Sequence, residues 1–210
     1  MTLQDNTTLA AEMAALGRAA HEAAGVLRNA SAESKNRALL EAAKAIRANA
    51  RAILAANKLD TDAARTGEIS PAMLDRLRLT EERIGAMARG LEEIAALPDP
   101  VGRELARWTR PNGLNIARVA TPIGVIGIIY ESRPNVTADA GALCVKSGNV
   151  AILRGGSESS HSSRAIHAAL PLAPAARFAD LDGPTWLAVD VEPAIQVSAG
   201  KVVIAASAAG

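Results

Sequence analysis

Cysteine, histidine and aromatic side chains are scarce in this chain, and neither sign of charge dominates it. Cys144 is the one cysteine among 210 residues, which excludes an intrachain disulfide and a cysteine-rich zinc site. His21, His161 and His167 are the only histidines, too few to support a metal site of another kind, so no metal is expected. Aromatics make up 2% of the residues, and 23 basic against 22 acidic side chains leave a formal net charge of +1. Without a Lys/Arg stripe interleaved with aromatics, nucleic acid is not an expected partner. No apolar run reaches the roughly 18 residues of a membrane span, and no basic region followed by an apolar core opens the chain. The expected compartment is therefore the cytoplasm.

A lone cysteine invites a nucleophile reading. Here it lies in Ala142-Leu143-Cys144-Val145, the apolar middle of a helical stretch, where a buried thiol behaves as a small hydrophobe. A reactive thiolate needs a basic neighbour or a helix N-terminus, and Lys146 alone is weak support.

What the chain has in quantity is alanine-rich helical pattern. From Leu9 to about Leu97, apolar residues recur at helical spacing, beginning with Met13, Leu16, Ala20, Ala23 and Leu27. Ser31 is the expected N-cap of a following helix that turns Leu39, Leu40, Ala43, Ile46, Ile53 and Leu54 to the core. Gly67 closes a third helix, Ser70-Pro71 opens another, and Thr80 with Glu81 and Glu82 opens one that stops at Leu97-Pro98. Within this region Asn57, Asp60, Asp75 and Arg76 read as structural.

Between Gly102 and Thr121 the period changes to that of strands around Pro111-Asn112-Gly113, which predicts a β-hairpin. It is either the antiparallel edge of a sheet or an arm that packs on another subunit. Next, the apolar run Ile123–Tyr130 stops at Glu131-Ser132-Arg133-Pro134-Asn135, and a second run, Val150–Leu153, stops at Arg154-Gly155-Gly156-Ser157. Strand, turn, helix, strand, turn and helix start follow one another here. A right-handed crossover makes the strands parallel and opens both turns on one edge of the sheet, where ligands of open α/β folds bind. The second turn adds a fixed cation, two glycines that allow close approach of a ligand, and the positive end of a helix. Gly124 and Gly127 lie inside the first strand and make no dinucleotide fingerprint. After Leu170 the composition shifts: four of the ten prolines and only six charged residues fall in the last forty positions, so Pro171–Pro184 reads as loop, with a short strand at Val202-Val203-Ile204.

The strings IGVIGIIYESRPNVTADA and LCVKSGN-AILRGGSE resemble the gamma-glutamyl phosphate reductase (glutamate-5-semialdehyde dehydrogenase) family of the aldehyde dehydrogenase superfamily. Supporting matches are Lys35-Asn36-Arg37, Ala56-Asn57, Leu59-Asp60, Asp75-Arg76-Leu77, Thr80-Glu81-Glu82-Arg83, Leu97 to Gly102 and Pro111 to Leu114. The resemblance covers roughly residues 9 to 170. It implies an α/β fold: a helical N-terminal segment (1–102), a hairpin (103–121), a partial aldehyde-dehydrogenase-like parallel-sheet NADP-binding unit (122–170) and a divergent tail (171–210).

That family reduces gamma-glutamyl phosphate with NADPH to glutamate-5-semialdehyde, the second step of proline biosynthesis, through a cysteine thioester. The resemblance implies that Glu131, Ser132, Arg133 and Asn135 bind substrate, with either Arg133 or Asn135 at the oxyanion position. A structural alternative makes Asn135 the N-cap of the crossover helix. Tyr130, Arg154, Gly155, Gly156, Ser157 and Glu158 would bind cofactor. Arg154 with the small hydroxyl of Ser157, where NAD-preferring relatives carry a glutamate, favours the 2′-phosphate of NADP. A homo-oligomer through the hairpin is implied as well.

Residues 171–210 match the family weakly, in the manner of an out-of-frame translation. The family's second Gly-Ser turn and its nucleophilic cysteine are not visible, and Cys144 is misplaced to replace it. A polypeptide of this sequence is therefore expected to lack the chemical step, to leave a sheet edge unpaired and to aggregate. The competing readings are a non-catalytic nucleotide-binding or assembly module, and a CoA-acylating or ordinary aldehyde dehydrogenase, against which Glu131 to Asn135 argues.

Overall fold

Seven helices and five strands follow one another in the computed structural model, which describes residues 3–67, 69–170 and 186–188, with side chains over 10–67 and 69–170. The long α1 (Leu3–Leu27) buries Ala20, Ala23, Ala24 and Leu27 as its periodicity predicts. Ser31 then takes extended backbone, and its hydroxyl accepts the Ser34 N–H at 3.1 Å, opening α2 (Ala32–Ala48). This helix does not run on to Leu54. At Asn49 the backbone N–H and the side-chain amide both turn back to the Ala45 carbonyl, and a separate helix, α3 (Ala50–Thr66), carries Ile53 and Leu54. Leu40 is exposed rather than in the core, because the buried face of α2 is Leu39, Ala42, Ala43 and Ile46, and adjacent residues lie about 100° apart around a helix.

Gly67 ends α3 in extended backbone. Ser70 and Thr80 cap α4 (Pro71–Leu77) and α5 (Glu81–Ala96) by accepting the N–H groups of Met73 and Arg83 at 3.3 and 3.1 Å. Small residues let α2 and α5 pack closely, Ala42 and Ala43 sharing a core with Ala88, while Leu39, Ile46 and Leu91 are fully buried. Each such side chain contributes about 1.5–3 kcal/mol on burial.

Two buried lysines tie distant parts of the chain to these helices. Lys35 pairs with Asp99 at 2.7 Å, and Lys146 donates to the Asn36 Oδ1 at 2.6 Å and the Ala95 carbonyl at 2.8 Å. Burial depresses the Lys146 pKa, Asp99 opposes the shift and the neighbouring Lys35 adds to it.

The hairpin forms as β1 (Glu104–Thr109) and β2 (Asn115–Val119), antiparallel, with Gly113 in the left-handed region (φ 83°) that its turn requires. Of its two expected settings, the sheet-edge one is not seen among the described residues: the pair forms its own two-stranded sheet. β3 (Val125–Ile129), α6 (Asn135–Lys146), β4 (Val150–Arg154) and α7 (Ser160–Ala169) make the predicted parallel crossover unit. A short strand, β5 (Trp186–Ala188), runs antiparallel to β4, giving the order β3-β4-β5. The expectations of a loop over Pro171–Pro184 and a strand at Val202-Val203-Ile204 lie outside the described residues.

Lys146-Ser147-Gly148-Asn149 sets the register of the two parallel strands. Gly148 (φ 74°) returns its N–H to the Val145 carbonyl, and Asn149 returns its own to that of Cys144, the crossed pair of bonds that terminates a helix. The Asn149 side chain then accepts the Gly124 N–H at 2.8 Å, tying the start of β3 to the start of β4. With Val125 opposite Val150, Ile129 falls opposite Arg154, and the two polar turns emerge side by side at the carboxyl ends. One core runs from α1 through α2 and α5 to α6, β4 and α7.

Candidate functional site

The two turns touch directly. Tyr130 continues the ladder, its N–H reaching the Arg154 carbonyl at 3.0 Å, and its phenol bonds the Thr137 Oγ1 at 2.7 Å. Burial raises the Tyr130 pKa, against hydrogen bonds from Thr137 and Ser163. A Cβ at Gly155 would stand 3.2 Å from the Tyr130 ring, and one at Gly156 would stand 2.1 Å from the Ser132 Oγ. The glycines therefore make room for the neighbouring turn of the same chain. Gly156 is extended (φ −64°, ψ 154°), so space alone requires it.

Ser132 donates to the Glu158 carboxylate, bridging the turns. That bond, followed by the Glu158 N–H, holds the Glu158 carboxyl below the usual range against partial desolvation. A short 3-10 turn, Ser157–Ser159, separates Gly156 from α7. The positive end of α7, expected to face a ligand, meets a carboxylate of the chain instead: Asp60 accepts the N–H groups of His161 and Ser162 at 3.1 and 2.7 Å, and the Ser162 hydroxyl as well. Asn57 completes the anchor, bonding the Leu77 carbonyl, the Leu79 N–H and Ser162. Asn57 and Asp60 are thus structural.

Asn135 is not the N-cap. Pro134 occupies that position, and Asn135, the first residue of α6, donates to Asp139 Oδ2 at 3.0 Å one turn on. Arg133 lies 3.3 Å from Glu131, which also pairs with Arg76 at 3.4 Å. Arg76, Arg78, Arg83, Arg133, Asn135 and Asp139 line a cleft of about 770 Å³ between α4, α5 and the start of α6.

The fold therefore divides the predicted residues into two groups. Tyr130, Ser132, Gly155, Gly156 and Glu158 stand at the junction of the turns, with Arg154 and Ser157 in the second turn. Glu131 borders the cleft that Arg133 and Asn135 line. Asp139 was not among the predicted residues. Its four-residue spacing from Asn135, in an otherwise apolar helix, is the signal that points to it. Burial raises the Asp139 pKa, opposed by the Asn135 amide. Cys144 is buried in α6, and burial pushes its thiol up, away from thiolate. Among the described residues no group of three His, Cys, Asp or Glu side chains stands ready for a metal ion, and no helix is long and apolar enough to cross a membrane.

No protein-family model matches the chain. It is 60% identical over 168 residues to gamma-glutamyl phosphate reductase of Paramagnetospirillum magneticum, a match covering 80% of this chain and 40% of that protein. The enzyme of the same name from Rhodospirillum rubrum is 63% identical over 155 residues, covering 74% and 36%. Among solved structures, gamma-glutamyl phosphate reductase of Thermotoga maritima superposes with a TM-score of 0.74 at 43% identity, covering 76% of this chain and 39% of that one. The Saccharomyces cerevisiae protein of that name gives 0.71 at 36% identity, covering 74% and 40%. The chain spans about two fifths of the length of these relatives.

Proposed function

Over the span it matches, the chain belongs to the gamma-glutamyl phosphate reductase family, and we propose from this that it carries the cofactor turn and part of the substrate cleft for NADPH-dependent reduction of gamma-glutamyl phosphate to glutamate-5-semialdehyde. The observation that carries the reading is the alignment of the two turns at the carboxyl ends of β3 and β4, the edge where nucleotides bind in open α/β sheets.

The donor set fits NADP. Arg154, half-buried at the end of β4, supplies a cation, and Ser157, exposed two residues beyond Gly155, adds a hydroxyl without a competing charge. The Glu158 carboxylate is held by Ser132. When bound, NADPH supplies hydride. The chain's own residues bind and orient: Tyr130 and Ser132 hold the turns together, and Arg133, beside the cleft, places a guanidinium for the acyl phosphate, with Asn135 the other candidate for the oxyanion position.

In this reading residues 1–102 are the helical scaffold, 103–121 an arm, 122–170 the partial NADP unit and 171–210 a divergent tail. The arm, with Leu105, Trp108 and Leu114 exposed, packs on a second copy in a cytoplasmic homo-oligomer. A polypeptide of these 210 residues binds cofactor without turning over, because its one thiol is buried in α6.

Titration of the purified chain with NADP and NAD tests this. NADP should bind at least tenfold tighter than NAD, Arg154→Ala should remove that preference, and no reduction of NADP should follow addition of glutamate-5-semialdehyde and phosphate. Equal affinities would remove the NADP assignment. Turnover abolished by Cys144→Ser would overturn the account of the thiol.

A further inference from the structure

The cleft beside Arg133 carries both signs of charge. Arg76, Arg78, Arg83 and Arg133 line it together with Asp75, Glu93 and Asp139. Several of these charges are matched within the fold. Arg83 forks onto Asp75 at 3.0 and 3.1 Å and donates to the Arg78 carbonyl, while Arg76 and Arg133 both meet Glu131. Asp139 differs from them. One of its oxygens is held by the Asn135 amide, and no described residue bonds the other. Oδ1 faces Gly90 on α5, where an added Cβ would come into van der Waals contact with it at 3.6 Å.

A half-buried carboxylate with one oxygen fixed and the other open to a cleft suits an ammonium donor, since charge-assisted bonds are the strong ones in partly desolvated surroundings. Arginines in the same cleft suit an anion. A ligand that satisfies both is a zwitterion, and an α-amino acid joins an ammonium and a carboxylate through one carbon.

Resting on the function proposed above, we infer that Asp139 is the specificity residue for the α-ammonium group of the substrate, with Gly90 keeping its outer oxygen accessible. Asn135 orients that carboxylate, and the cleft arginines take the anionic groups.

The test uses two stable esters that share an acyl group and differ only in the amine, L-glutamate 5-methyl ester and monomethyl glutarate, titrated by NMR into the isotope-labelled 210-residue chain at pH 7. The amino ester should bind at least tenfold tighter. Asp139→Asn should abolish the preference while leaving monomethyl glutarate within twofold of its original affinity, and Gly90→Ala, which crowds the carboxylate but leaves its charge in place, should weaken the amino ester alone. Equal affinities in the parent chain, no binding of either ester, or a preference that survives both substitutions would overturn the assignment. NADP titrated into the same samples separates the two levels: if NADP still binds, only the role of Asp139 falls, and if it does not, the underlying cofactor reading falls too.

Discussion

Gly156 shows how one missing side chain decides the geometry of the site. Its backbone angles are open to any L-residue, yet a Cβ would sit 2.1 Å from the Ser132 Oγ, 2.9 Å from Glu158 Oε2 and 3.1 Å from the Ser132 nitrogen. A flexible carboxylate can move aside, but a backbone nitrogen moves only with its turn. Gly156→Ala should therefore cost about 1–3 kcal/mol, the range for overpacking a close contact. Urea denaturation of the variant measures it, and Ser132→Gly in the same chain should recover the part of the loss due to the Ser132 Oγ while leaving the part due to the Ser132 nitrogen. A neutral Gly156→Ala would mean that the turns do not hold each other. The sequence shows that two glycines follow Arg154, but what approaches them depends on Tyr130 and Ser132, more than twenty residues earlier.

At the scale of elements, α7 depends on α3. Its first N–H groups lack partners within the helix, and Asp60 supplies them from a hundred residues away. Asp60→Ala should destabilise the chain by about 2–3 kcal/mol, since it strips buried donors of their acceptor as well as removing a cap. Hydrogen exchange at His161 and Ser162 should accelerate more than exchange in α5. Unchanged protection there would show that α7 is held by packing alone. Caps at Ser31, Ser70 and Thr80 were legible because donor and acceptor lie three residues apart. The Asp60 cap was not, since only tertiary packing brings α3 to α7. Leu40 failed for a related reason: Leu39 and Leu40 both continue an apolar stripe, and the position of α5 selects between them.

For the molecule as a whole, β3 lies at one edge of the three-stranded sheet, and apolar side chains near it are bare: Ile123 is 83% exposed and Ile129 69%. A parallel strand whose outer edge meets no other strand among the described residues, flanked by such side chains, is a site for association. The purified chain should bind a hydrophobic dye and sediment as a concentration-dependent mixture. Ile123→Lys with Ile129→Lys should raise the monomer fraction severalfold. A clean monomer that unfolds cooperatively and binds no dye would contradict this.

The helix starts at Ser31, Ser70 and Thr80, the Asn112-Gly113 turn and the strand-turn-helix order of 121–160 followed from local chemistry, because caps, left-handed turns and apolar periodicity act over a few residues. The placement of both turns on one edge also followed, since a right-handed crossover leaves little choice. The hairpin's separation from the parallel sheet, the closure of the turns on each other, the carboxylate at the start of α7 and the open oxygen of Asp139 did not. Each is a meeting of groups distant along the chain, and their positions depend on which side chains fill the space between the helices.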